Sequence, residues 1–113
     1  MEKERLPDRA KEMGETILRF FGGLRRKYPI IADVRGLGAM CAIEMVDPES
    51  GEPARDVAVD VIQRAWRKGV MLLRAGVHGN IIRFLAPLVM TPEQLREGLD
   101  IIAEAVAEAA EAR

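Results

Sequence analysis

The stretch Ile31-Ala32-Asp33-Val34-Arg35-Gly36-Leu37-Gly38-Ala39-Met40-Cys41-Ala42-Ile43-Glu44-Met45-Val46 decides the fold, because the apolar period changes inside it. Upstream, Met13, Ile17, Phe20 or Phe21, Leu24 and Tyr28 recur every three or four residues among Arg, Lys and Glu. That spacing predicts a helix over residues 8–28, since side chains three and four apart share one helical face. Pro29 ends it, because the residue before a proline avoids helical angles. Ile31 to Arg35 then reads as a strand, Gly36-Leu37-Gly38 as a tight reversal, and residues 39–46 as a second strand. A β-hairpin results. Two glycines followed by a strand also rule against a dinucleotide-binding loop, which needs a third glycine and a helix.

Downstream, Asp47-Pro48-Glu49-Ser50-Gly51-Glu52-Pro53 is a loop of turn formers. A second helix is predicted over 54–68, with Val57 or Ala58, Val61, Ile62, Ala65 and Trp66 as its apolar stripe and Gly69 as its C-terminal cap. Val70 to Leu73 reads as a strand, Ala75 to Asn80 as a loop, and Ile81 to Leu85 as a strand closed by Ala86-Pro87. Thr91-Pro92-Glu93-Gln94 spells a helix start: an N-cap, a proline at the first helical position, and a glutamine completing a capping box. Leu95, Leu99, Ile102, Val106 and Ala109 form the buried stripe of this last helix, over 91–110.

The order α-β-β-α-β-β-α in 113 residues is too short for a doubly wound sheet. It predicts one α+β domain, a two-layer sandwich of about four mostly antiparallel strands with three helices. The strands at 39–46, 70–73 and 81–85 are apolar on both alternating faces. Either the three helices cover both faces, or a partner surface completes the sheet.

Composition excludes several classes. With 17 Lys and Arg against 18 Asp and Glu, the chain lacks the positive excess of a nucleic-acid binder. No apolar run approaches the roughly 20 residues that span a bilayer, and Met1-Glu2-Lys3-Glu4-Arg5 opens no signal segment. A cytoplasmic setting is the expectation. One cysteine and one histidine leave no disulfide and no metal cluster. Cys41 reads as a small core hydrophobe, His78 as a solvated loop residue, and Arg25-Arg26-Lys27 as a solvated helix end suited to the dipole.

Arg83 is the candidate binding residue, the one polar side chain in Ile81-Ile82-Arg83-Phe84-Leu85. A guanidinium stays charged at any ordinary pH, and an unpaired charge buried mid-strand costs several kcal/mol. Two readings stay open: an arginine snorkelling to water from a sheet edge, or an anion receptor gripping a carboxylate through two parallel hydrogen bonds.

Gly79-Asn80-Ile81-Ile82-Arg83-Phe84-Leu85-Ala86-Pro87-Leu88 resembles the small C-terminal domain of the class III (ω-amino acid) aminotransferases, and Val34-Arg35-Gly36-Leu37-Gly38-Ala39-Met40 resembles their turn at the matching place. The spacing to Thr91-Pro92-Glu93-Gln94 agrees, so the resemblance covers residues 6–110. Leu73-Arg74-Ala75-Gly76 points toward the 4-aminobutyrate branch. The resemblance implies a fold-type-I enzyme binding pyridoxal 5'-phosphate in a large domain, at the interface of a homodimer. A lysine there forms a Schiff base, and an aspartate pairs with the pyridine nitrogen. It further implies amino transfer from 4-aminobutyrate to 2-oxoglutarate, yielding succinate semialdehyde and glutamate. Arg83 would hold a substrate carboxylate, and a glutamate of the large domain would pair with it when that carboxylate is absent.

The resemblance assigns no catalytic or cofactor-binding residue to this chain. Lys3, Lys11, Lys27 and Lys68 stand outside the family's Schiff-base context, and no glycine-rich phosphate loop or cofactor-pairing aspartate is present. The expectation is a single domain over 1–113 whose large catalytic domain is absent and which is inactive alone. The alternative is a stand-alone α+β module that binds an anionic metabolite or a protein partner without catalysis.

Overall fold

A computed structural model describes residues 2–37, 40–85 and 90–112, and side chains from residue 8 onward except that of Leu37. The chain orders as α1 (Glu2–Lys27), β1 (Ile31–Leu37), β2 (Met40–Met45), α2 (Arg55–Arg67), β3 (Leu73–Ala75), β4 (Ile81–Leu85) and α3 (Pro92–Glu111). Helix α1 starts earlier than the apolar period predicts. Its first turns have no apolar spacing to signal them.

The four strands form one antiparallel sheet in the order β1-β2-β4-β3, so the last strand inserts between β2 and β3. The expected reversal at Gly36-Leu37-Gly38 comes later than predicted, because Gly36 and Leu37 still pair, opposite Cys41 and Met40, as the end of β1; Gly38, Ala39 and the expected strand end at Ala86-Pro87 lie outside the described residues. A register shift between Ile31 and Asp33 lets Ile31 enter the core while Asp33 points the opposite way, as one inserted residue does.

One face of the sheet carries Cys41, Ile43, Met45, Ile82 and Phe84, all buried with the stripes of the three helices in a single core. From α1 come Met13, Ile17, Phe21 and Leu24; from α3 come Leu95, Leu99, Ile102, Val106 and Ala109, as their spacing predicts. From α2 come Val57, Ala58, Val61 and Ala65, but not Trp66, which is 66% exposed. An α-helix advances about 100° per residue, so Trp66, next to Ala65, turns off the buried stripe. Every described helix packs on this one face. On the other, Leu73 and Leu85 are 51% and 65% exposed. Of the two expectations for the two-faced apolar strands, coverage of both faces is not provided by the described residues.

The end signals hold where side chains define them. The Thr91 hydroxyl accepts from the Gln94 amide at 3.1 Å and the Gln94 carbonyl oxygen accepts from the Thr91 amide at 2.9 Å. Gly69, with φ +98°, follows α2, and Val70 donates back to the Ala65 carbonyl at 2.9 Å, a Schellman-type closure. That closure displaces β3. The residues expected as a strand, Val70 to Leu73, mostly serve as the exit from α2, with Leu72 buried as a plug. Pairing with β4 begins only at Leu73 opposite Arg83.

Candidate functional site

Strand alternation builds the site. Ile82 and Phe84 point into the core, so Arg83 between them points out of the uncovered face. It stands opposite Ala42 on one side and Leu73 on the other. One strand further, Arg35 pairs with Ala42, which places two guanidinium-bearing residues on one row, with backbones ~10 Å apart at ordinary strand spacing. Ala42, between them, is too short to fill the gap.

The two arginines differ in company. Arg35 Nε lies 3.4 Å from Asp33 Oδ2, and its Nη2 3.9 Å from Glu44 Oε1. Asp33 and Glu44 share the same face, so its acids are engaged by Arg35. Arg83 has no hydrogen bond or ion pair among the described residues. It is exposed, so within the described residues its side chain reaches water, as the first of the two open readings has it. Within this chain its charge is solvated; Leu85 and Leu73 beside it are the exposed apolar surface. An anion becomes necessary only if something covers the face and removes that water.

The other candidate residues do not join it. His78 is exposed in the loop before β4, and Cys41 is fully buried on the opposite face, its Sγ 3.9 Å from the Gly14 carbonyl oxygen. Burial alone pushes the Cys41 thiol up to about 11. Among the described residues no three His, Cys, Asp or Glu side chains group to hold a metal. No described helix is long and apolar enough to cross a membrane.

The described residues do not fit pyridoxal phosphate. A Schiff-base lysine must give up its proton readily. The Lys68 ammonium instead bonds Glu104 at 2.8 Å and Glu108 at 3.4 Å, and these hydrogen bonds raise its pKa. Lys11 is exposed, and so is Lys27, whose ammonium lies 5.7 Å over the Tyr28 ring.

Asn80 supports the site and escapes sequence reading. Only 3% exposed, it donates from Nδ2 to the Met45 carbonyl at 2.9 Å and accepts the Met45 amide on its own carbonyl at 2.8 Å. It thereby fixes the entrance of β4, and so the register of Arg83, to the end of β2. In the sequence it looks like any polar residue closing a glycine loop.

The chain matches the aminotransferase class-III family over residues 1–106. It is 44% identical over 103 residues to a probable 4-aminobutyrate aminotransferase of Bacillus subtilis, covering 90% of this chain and 24% of that protein. It is 41% identical over 109 residues to a 5-aminovalerate aminotransferase of Pseudomonas putida, covering 96% and 26%. A transaminase structure from the marine bacterium Virgibacillus superposes with a TM-score of 0.86 at 28% identity, over 98% of this chain and 26% of that one. The chain thus spans about a quarter of the length of the relatives it matches.

Proposed function

The chain belongs to the class III aminotransferases, and from that premise we propose that it is the substrate-carboxylate-binding small domain of a 4-aminobutyrate-type transaminase. In this reading the uncovered sheet face docks on a large domain that holds pyridoxal phosphate, within a homodimer. The amino group passes from 4-aminobutyrate, or a related ω-amino acid, to 2-oxoglutarate. The chain's own part is binding and orientation. Arg83 grips the carboxylate of the amino-acid end with its two-pronged fork, and the apolar residues around it exclude water, which strengthens the grip.

One observation carries this reading: Arg83 is the cation on the uncovered face that no described acid neutralises, while Arg35 beside it is paired. A receptor arginine must not be held by the acids of its own sheet. The family's named activities on ω-amino acids support the choice of a carboxylate as ligand.

The test is a graft. This domain replaces the matching quarter of the Bacillus subtilis relative, and the two half-reactions are followed separately with native Arg83, Arg83→Lys and Arg83→Ala. A selective loss with 2-oxoglutarate is expected. If both variants keep the 2-oxoglutarate half-reaction within about threefold of the parent, well under 1 kcal/mol, Arg83 is not the receptor.

A further inference from the structure

A second cationic site lies on the opposite face of the sheet, and nothing in the transaminase reading uses it. Arg74 pairs with Ile82 across the β3–β4 ladder, so it points to the helix side, away from Arg83. There α2 begins with Arg55. Together with the loop Ala75–Gly79 the two exposed arginines line an open surface cleft of about 290 Å3 whose remaining charged or titratable side chain is the exposed His78. No acid lines it. Neither Arg55 nor Arg74 has a carboxylate within ion-pair distance among the described residues.

The loop holds these side chains together by its glycines. Gly76 and Gly79 have φ of +89° and +65°, a region that L side chains rarely adopt. A Cβ on Gly79 would stand 2.9 Å from Arg74 Nη1 and 3.5 Å from Arg55 Cδ. Both arginine side chains therefore converge on the bare backbone of one residue. The Arg74 guanidinium and the Arg55 stem meet over Gly79 in a lining that holds no acid, so like charges gather there without a counter-charge, repel, and are relieved by an anion.

We propose that Arg55, Arg74 and His78 form a binding site for the phosphate group of a small phosphorylated metabolite. A phosphate monoester offers three oxygens in a pyramid and up to two negative charges, which matches donors arriving from a strand, a helix start and a loop. A carboxylate offers two oxygens in one plane and a single charge. Guanidinium forks are the side chains best shaped to phosphate oxygens. The site owes nothing to the assignment of Arg83, so either reading can fail alone.

The experiment titrates the isotope-labelled 113-residue chain with inorganic phosphate, and separately with succinate, at constant ionic strength, following the amide signals of Gly76 and Gly79 and the Nε–H signals of Arg55 and Arg74. Saturable shifts at these four residues with phosphate are expected, with weaker binding of succinate. Arg55→Gln and Arg74→Gln should each weaken phosphate about tenfold, the worth of one charge-assisted contact. Arg25→Gln, which removes an exposed charge at the end of α1, should change nothing, and the dispersion of each spectrum reports whether a variant is folded. Shifts that never saturate, an equal response in Arg25→Gln, or succinate binding as tightly as phosphate would each overturn the proposal.

Discussion

Arg83 and Ala42 stand directly opposite each other across the β2–β4 ladder, on the face that no described helix covers. A long charged side chain faces a methyl group, so the guanidinium is neither packed nor paired. This separates binding from stability. Arg83→Ala should leave the melting of this chain almost unchanged, within about 0.5 kcal/mol, as for surface positions in general. In the grafted enzyme the same change should cost roughly 30- to 4,000-fold in kcat/KM with 2-oxoglutarate, the about 2–5 kcal/mol of a broken enclosed charge pair. Arg83→Lys should recover part of it, since an ammonium cannot form the two-pronged contact. Thermal melts and half-reaction kinetics on the same variants check both halves.

Asn80→Ala should destabilise the fold by about 1–3 kcal/mol, the cost of disturbing a buried hydrogen bond. The Met45 carbonyl would keep its second donor, the Ala54 amide at 3.0 Å, which limits the loss. Urea titration measures it. An effect indistinguishable from zero would mean that the register of β4 is fixed elsewhere.

The core cluster predicts a larger effect at Phe21, fully buried on α1. Phe21→Ala should cost about 3–5 kcal/mol through lost transfer energy and a cavity. The neighbouring Phe20 is only partly buried against the same core, so Phe20→Ala should cost clearly less. Equal losses at the two positions would contradict the helix phase described here.

Cys41 yields a pH dependence. In the folded chain its thiol keeps its proton to about 11, against 9.0 for the unhindered group. The unfolded chain therefore ionises first. This contribution to stability is fully present below 9.0 and is lost as pH rises toward about 11, at no more than about 1.4 kcal/mol per pH unit. The native thiol should resist alkylation at pH 8 and react once urea unfolds the chain. Rapid native labelling would show that the site opens.

Thr91→Ala removes one half of a reciprocal cap and should cost about 1 kcal/mol of stability. The melting shift reports it.

How far the sequence led depended on whether a signal was local. The start of α3 was legible because Thr91, Pro92 and Gln94 act on one another within one turn. The four strands were legible from period, but the place of β3 was not. Val70 to Leu73 has the composition of a strand, and only the three-dimensional closure of α2 over Gly69 shows that its first three residues are a connector. Trp66 was misplaced for a similar reason, since an apolar side chain beside a buried alanine reads as part of the stripe. Arg83 stood out as the one polar side chain of an apolar strand, but the strand alone did not decide between a solvated and an enclosed guanidinium. Ile82 and Phe84, next to it in sequence, lie on the other side of the sheet, and Ala42 and Leu73, which stand opposite it, come from other strands.

The insertion of β4 between β2 and β3 also orders events in time. Ala42 meets Arg83 only after a loop of about forty residues closes, and closing such a loop costs entropy before any contact repays it. Until then β2 has a bare inner edge and β3 has no partner at all. During synthesis the hairpin of β1 and β2 and the whole of α2 emerge first, and must wait, edge exposed, for residues 81–85. That interval is when another copy's strand could occupy the vacancy. The same topology that brings Arg83 to the middle of the sheet leaves the nascent chain most prone to mispairing until β4 arrives.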